Sequence, residues 1–334
     1  TATADPNEWR LDESDLLKQI YEDAAYVKTH KILLAQALKW QRQHQNPCIL
    51  LRGHTLSHAE TWLKTAEKRD RLQPTALQQQ FIQASLQQPP AQALDVFVSY
   101  SRTDADMARK LNDALQSQGK RTWFDQESIA PGADFQQEIY RGIEASDNIL
   151  FVLSPASINS PYCADEVNYA ASLNKRFVTV LYRDIETPTL HPELAKVQWI
   201  DFSQATDFST QFNLLVRTLN TDRAYVQSHT KWSQRAIAWN VQNRSEDLLL
   251  RGAELAIAEH WYQQSLSENK QPSLTALQKD LITTSREKAE AEESHEQQRV
   301  QIMQRQLKAT VVASAFAIGG LVAIALSGWL SFRH

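Results

Sequence analysis

Three patterns of hydrophobic positions divide this sequence of 334 residues. In both flanks the hydrophobic residues recur every three or four positions, as Leu34, Leu38 and Trp40 do, which predicts amphipathic helices. In the centre, short apolar runs rich in β-branched residues alternate with amphipathic stretches, which predicts a parallel sheet covered by helices on both faces. Near the C-terminus, residues 309–332 carry no charge. Each pattern predicts a different part of the molecule.

The central pattern predicts an α/β domain of the flavodoxin-like class over residues 93–220. Its four apolar runs are Asp95–Ser99, Thr122–Phe124, Asn148–Leu153 and Phe177–Leu181. Ligands of such sheets bind outside the carboxyl ends of the strands. Candidate functional residues are therefore expected directly after Ser99, Phe124 and Leu153.

Two motifs predict where helices of this central domain begin. The segment 103–106, Thr-Asp-Ala-Asp, has the form of a capping box and predicts a helix start at Thr103. Ser160 followed by Pro161 predicts a second start, because serine is a good N-cap and proline is favoured at the first helical position.

The two flanks resemble each other, which predicts two copies of one helical module at residues 1–92 and 221–286. The matched positions are Tyr26 with Tyr225, His30 with His229, Trp40 with Trp239, Arg52-Gly53 with Arg251-Gly252, and Trp62 with Trp261. We expect three helices in each copy.

The shared histidines and arginines suggest a metal or anion site, but a single histidine per copy lacks ligand partners at a usable spacing. Packing and hydrogen bonding are the favoured role, and we expect no bound metal.

The uncharged segment 309–332 predicts a transmembrane helix, because its 24 residues are enough to cross a hydrocarbon layer of ~30 Å. Lys308 and Arg333 bracket it and Trp329 occupies an interfacial position, which disfavours the alternative of a buried core helix. Residues 287–308 are charged and glutamine-rich, as in a juxtamembrane helix. The excess of basic residues before the segment predicts a single-pass protein with its bulk in the cytoplasm and membrane lipid as a partner.

Composition narrows the classes of partner and compartment. The formal net charge of −4 comes without a long basic run, so we expect no nucleic-acid partner. Cys48 and Cys163 lie far apart in sequence without metal-ligand spacing, which fits a reducing compartment. No signal peptide is predicted at the start, and we expect the sequence to be part of a longer protein.

The central domain resembles the Toll/interleukin-1 receptor (TIR) family. VFVSYSRTD, WFDQESIAPGADFQQEI and FVLSPASINSPYCADE resemble its three signature boxes, in the right order. Bacterial members commonly show Ser-x-Trp-Cys-x-x-Glu in the third box, and Ser160–Glu166 matches this pattern with Tyr162 in place of tryptophan. The flanking module resembles a helical linker between TIR domains, membrane helices and β-propeller repeats in cyanobacterial and other bacterial proteins. That resemblance implies a β-propeller region beyond His334.

The resemblance implies cleavage of the nicotinamide–ribose bond of NAD, with NAD as substrate and no prosthetic group. Glu166 would be the catalytic residue. The residues implied in NAD binding are Tyr100, Ser101, Arg102, Asp125 and Tyr162. The loop 126–134, with Ile129, Pro131 and Gly132, would reach into a neighbouring domain, so that activity depends on self-assembly.

The sequence therefore predicts a membrane-anchored enzyme that cleaves NAD in bacterial immune (antiphage) defence. Two other classes of function compete with this hypothesis. A non-catalytic TIR adaptor would use the same domain only for self-association and recruitment of partners. A structural membrane anchor would account for the uncharged segment but not for the polar loops of the centre. Retention of Glu166 favours the enzyme.

Overall fold

The computed structural model describes residues 15–67, 69–87, 94–124, 135–185, 190–204 and 208–331, without the side chains of 15–22, 53–54, 135 and 312–331. Four residues of the predicted site and assembly loop lie outside this description: Asp125, Ile129, Pro131 and Gly132. The chain divides into two compact units. The first comprises 1–238 with 261–275, and the second comprises 239–260 with 276–334.

The centre of the first unit is a five-stranded parallel sheet, which confirms the predicted α/β class. Its strands are β1 (Leu94–Ser99), β2 (Thr122–Trp123), β3 (Ser146–Leu153), β4 (Arg176–Leu181) and β5 (Ile200–Asp201). The strand order is β2-β1-β3-β4-β5. Strand β5 was not predicted, because two residues are too few to show a hydrophobic pattern.

Helices cover both faces of the sheet. They are α4 (Ala105–Ser117), α5 (Phe135–Ala145), α6 (Pro155–Ile158), α7 (Pro161–Ser172), α8 (Pro192–Ala195) and α9 (Phe208–Asn220). Val96 and Val98 of β1 point into the core with α4 and α9, whereas Phe97 points into the opposite core with α5 and α7. This alternation follows from the two-residue period of a strand. Residues on the face of Phe97 therefore meet α7.

One of the two predicted helix starts is confirmed and the other is wrong. The Ser160 side chain accepts a hydrogen bond from the Cys163 backbone N–H at 3.3 Å, and α7 begins at Pro161. Thr103 does not cap α4, because it lies inside a 3-10 turn, Arg102–Asp104, that precedes this helix. The carboxylate of Asp104 is directed into the protein instead, where it accepts a hydrogen bond from Ser154.

Among the described residues, three α-helices lie on each side of the TIR-like centre. They are α1 (Asp15–Arg42), α2 (Gly53–Ala66) and α3 (Ala76–Leu86) before it, and α10 (Arg223–Val241), α11 (Gly252–Glu268) and α12 (Ala276–Ser331) after it. Positions matched in the sequence make matching hydrogen bonds. These are Tyr26 Oη to Leu72 O and Tyr225 Oη to Pro272 O, at 2.9 Å each, and Leu51 N to Ser85 Oγ and Leu250 N to Ser285 Oγ, at 3.0 Å each. His30 and His229 contact the edges of Trp62 and Trp261.

Helix α12 runs without a break from Ala276 to Ser331. Most side chains of the predicted transmembrane segment 309–332, those after Val311, lie outside the described residues. Within the part of the chain that the structure does describe, no helix combines the length and the apolar character needed to span a bilayer.

The amino edge of the sheet carries a buried polar cluster. Lys175, immediately before β4, is only 4% exposed, and its ammonium donates to Glu144 O at 2.9 Å and to Ser146 O at 2.8 Å. Burial lowers the pKa of Lys175 to about 7 and raises the pKa of neighbouring Asp147 to about 6. Thr230 of α10 lies within 3.4 Å of the Lys175 ammonium. This cluster therefore joins helix α10 to the amino edge.

Candidate functional site

The carboxyl edge of the sheet is the predicted place for a ligand. The chain passes from β1 to its neighbour β2 on one side and then crosses to β3 on the other side of β1, so the topological switch point lies between β1 and β3. Crevices at such points are the usual ligand sites of open parallel sheets. The segments that border it are those after Ser99 and after Leu153.

Glu166 reaches this edge from helix α7. Cys163, Val167 and Ala170 form the buried side of this helix, and Glu166 lies beside them with its side chain half-buried. Its Oε2 atom accepts a hydrogen bond from the Ser99 hydroxyl at 2.5 Å. This bond joins the end of β1 to α7 and holds the carboxylate beside the switch point.

Cys163 lies one helical turn before Glu166 and is 2% exposed. Burial, followed by repulsion from the Glu166 carboxylate, raises the pKa of the Cys163 thiol to about 11. The thiol is therefore protonated at neutral pH, and a thiolate is the form that acts as a nucleophile. The carboxylate of Glu166 is left as the candidate reactive group.

The other predicted site residues within the described chain lie around the same edge. Tyr100 is buried and stacks on Phe124 with ring centroids 5.2 Å apart, so it packs the end of β1 against the end of β2. Ser101 and Arg102 follow in the β1–α4 loop, where the Arg102 side chain is exposed. Tyr162, in the first turn of α7, is 74% exposed. Because it precedes Glu166 by four residues, it lies on the same face of the helix.

A second cluster of polar side chains lies across the switch point, and the sequence analysis did not predict it. Ser154, after β3, donates a hydrogen bond to Asp104 Oδ2 at 2.5 Å, and Arg183, after β4, lies 3.6 Å from Asp104 Oδ1. Asp104 is only 1% exposed, whereas the Arg183 side chain is 53% exposed. The guanidinium group of Arg183 is thus held by the buried Asp104 carboxylate and is still accessible to solvent at this edge. No sequence motif indicates this group, since its three residues come from three separate loops.

Hydrogen bonds between α5 and α7 fix the helix that carries Glu166. The Tyr140 hydroxyl donates to Asp165 at 2.8 Å, and the Tyr169 hydroxyl donates to Glu144 at 2.5 Å. The rings of Tyr140 and Tyr169 stack with centroids 4.0 Å apart. Glu166 is therefore on a braced element, as a preorganised site requires.

A concave surface of about 620 Å³ lies away from this edge, among the helices before the sheet. Trp40 and Leu63 line it together with several glutamines, and Glu67 is the only ionisable residue among the described residues of its lining. Such a lining offers no acid–base pair for chemistry. Across the described ranges, no three potential ligand side chains are grouped to hold a metal ion.

Comparisons with known proteins agree with the architecture of the centre. The family model of the TIR domain matches residues 96–216, about a third of the chain. Comparison with curated proteins gives no match.

Similar solved structures contain TIR domains. The TIR domain of a Toll-related receptor from Hydra magnipapillata is 22% identical, with a TM-score of 0.34, over 38% of this chain and 98% of that one. A TIR-STING receptor from C. gigas is 23% identical, with a TM-score of 0.33, over 38% of this chain and 39% of that one. The chain thus spans less than two thirds of that receptor chain. The family match and the parallel sheet together show that residues 96–216 of this chain are similar to TIR domains.

Proposed function

We propose that this protein is a TIR enzyme that cleaves NAD to nicotinamide and ADP-ribose, or a cyclic form of it. The observation that carries the proposal is the Glu166 carboxylate, half-buried at the switch point and bonded to Ser99. A negative charge fixed by the protein is suited to stabilise positive charge that develops in a transition state. Adaptors that only self-associate have no need of such a group.

The chemistry needs only one carboxylate. The C1′–N bond of NAD breaks with its electron pair passing to the pyridinium nitrogen, so nicotinamide leaves as a neutral molecule. Ordinary glycoside hydrolysis needs a second carboxylic acid to protonate the leaving group, and this reaction does not. Water then adds to C1′ and releases a proton. Glu166 would bind the ribose hydroxyls and stabilise the oxocarbenium-like transition state.

Two arginines are candidates to bind the diphosphate of NAD. Arg102 is exposed in the loop after β1, and Arg183 is half-exposed after β4. Guanidinium groups suit phosphate because their planar N–H donors match its oxygens. The ion pair with Asp104 and the ring of Tyr182, 4.8 Å from the guanidinium, hold Arg183 at the edge. We therefore propose that Arg183 binds the diphosphate together with Arg102.

We expect the purified full chain, reconstituted at high density, to release nicotinamide from NAD. Nicotinamide and ADP-ribose would be separated by chromatography and should appear in equal amounts over time, except where a cyclic product forms. A chain in which both Arg102 and Arg183 are changed to Ala should show a raised KM with kcat less affected, since ground-state binding is lost. Absence of nicotinamide from the densely assembled protein would refute the enzyme and favour the adaptor.

We further propose that residues 309–332 anchor the chain in a membrane, with the TIR domain in the cytoplasm and a role in immune signalling such as antiphage defence. The support is the uncharged sequence of this segment and its continuation of helix α12. Many copies in one membrane plane would raise the effective concentration of TIR domains for one another. The anchor would thereby promote the self-association on which activity depends.

We expect the full chain to partition into the detergent or membrane fraction, and a chain ending at residue 308 to stay in the aqueous fraction. Ultracentrifugation and immunoblotting of both fractions measure this difference. A tenfold dilution of the full chain in vesicles should also lower its activity per molecule. Full chain that remains in the aqueous fraction without detergent would contradict the anchor.

A further inference from the structure

Ser99 is a polar residue in a place where the strand pattern calls for an apolar one. It ends β1 on the same face as Phe97, which is packed against α5 and α7. Its side chain is only 1% exposed. A buried hydroxyl is costly unless it is hydrogen-bonded, so its partner explains why it is tolerated there.

That partner is the candidate reactive carboxylate. The Ser99 hydroxyl donates its one hydrogen to Glu166 Oε2 at 2.5 Å, within the range of hydrogen bonds to ionised acceptors. Such bonds are about twice as strong as neutral ones. The donor lies on a central strand and the acceptor on a braced helix, so the bond restricts rotation of the carboxylate. It also favours the charged form over the protonated one.

We propose that Ser99 is the positioning residue of this site, which fixes the orientation of the Glu166 carboxylate and keeps it ionised. This inference rests on the proposed NAD cleavage for its effect on rate. The effect of Ser99 on the orientation and ionisation of the Glu166 carboxylate does not require NAD cleavage.

The Ser99→Ala variant should lower kcat about tenfold, the scale of losing one hydrogen bond to a charged group. KM should change little, because Ser99 contacts the carboxylate and not the substrate. The acid limb of kcat/KM, which reports the pKa of the essential carboxylate in the free enzyme, should move up by about one pH unit. A merely structural role for Ser99 would lower the amount of folded protein without moving this limb.

The sheet offers a matched control. Thr179 of β4 and Ser99 of β1 both pair with Phe151, so they lie in one row on one face. The Thr179 side chain is also fully buried, and its hydroxyl has no hydrogen-bond partner among the described residues. Thr179→Val therefore removes a buried hydroxyl without touching Glu166. It should leave the acid limb and kcat unchanged.

A second pair of variants keeps the test independent of side-chain volume. Ser99→Thr retains the hydroxyl and should keep the wild-type acid limb. Ser99→Val, whose side chain has the shape of threonine but no hydroxyl, should shift the limb as Ser99→Ala does. An unshifted limb in both Ser99→Ala and Ser99→Val, in chains with active Glu166, would overturn the positioning role while leaving NAD cleavage intact.

A titration that needs no activity separates the two proposals. In chains labelled with carboxyl ¹³C-glutamate, Glu166 would be assigned by the signal missing from Glu166→Gln, and its pKa measured by NMR. The pKa should be higher in Ser99→Ala than in the wild type and unchanged in Thr179→Val. If the wild-type chain releases no nicotinamide, the enzyme proposal fails, and this titration alone still decides whether Ser99 holds the carboxylate ionised. An equal pKa in wild type and Ser99→Ala overturns the inference.

Discussion

Changing Glu166 to Gln is expected to lower the rate of nicotinamide release from NAD by about a hundredfold or more. The amide keeps the shape of the side chain and can still accept the Ser99 hydrogen bond, but it carries no negative charge. Loss of one electrostatic stabiliser of a transition state costs on this scale. The measurement is single-turnover release of nicotinamide by the densely reconstituted full chain.

The neighbouring carboxylate supplies the control. Asp165 lies on the same helix but accepts a hydrogen bond from Tyr140, on the side facing α5. Asp165→Asn removes the same charge one residue away and should keep most of the activity. If Glu166→Gln cleaves NAD as fast as the wild type, Glu166 is not the catalytic residue, whatever the activity of the chain.

Changing Lys175 to Met is expected to lower the free energy of unfolding by about 3 kcal/mol at pH 7, because two buried carbonyl groups lose their donor at about 1–3 kcal/mol each. Methionine has similar length but cannot donate to the carbonyls of Glu144 and Ser146. It also removes one of the cations near the buried Asp147 carboxylate and leaves Arg121. Urea unfolding in mild detergent, followed by tryptophan fluorescence, measures the loss.

The loss should grow as pH rises. Folding lowers the pKa of Lys175 from 10.5 to about 7. The cost of burying its charge therefore destabilises the wild type fully below pH 7 and is relieved as pH rises from 7 toward 10.5. The variant has no ammonium at this position and gains no such stability. The pKa of Asp147 is raised to about 6, and without Lys175 its ionisation in the fold costs more. Both effects widen the gap between wild type and variant from pH 5 to pH 9.

An exposed lysine gives the comparison for this experiment. Lys196 is 66% exposed and pairs with Glu193 at 2.6 Å three residues away. Exposed pairs contribute little, so Lys196→Met should change the stability by less than about 1 kcal/mol. A loss for Lys175→Met as small as that for Lys196→Met, or one that shrinks as pH rises, would contradict the role given to the buried ammonium.

Local signals in the sequence predicted much of the fold. The β-branched runs predicted β1 to β4 because a strand buried on both faces must be apolar along its length. Ser160 and Pro161 predicted the start of α7 because their preferences act within one turn of helix. The helix start predicted at Thr103 was wrong, although it rested on the same kind of local preference. A 3-10 turn that includes Thr103, and the buried hydrogen bond from Ser154 to Asp104, override the capping preference.

Periodicity and short motifs in the sequence were sufficient to predict the parallel α/β centre, the helical flanks and a Glu166 that follows the third strand. Each depends on periodicity or on residues a few positions apart. The groups that contact Glu166 could be identified only in the folded chain, since Ser99 lies 67 residues away and is brought to it by the pairing of strands. The same holds for Arg183 with Asp104 and for Lys175 with the amino edge. Such contacts join residues whose separation along the chain leaves no pattern, because only the packing of the sheet against its helices makes them neighbours.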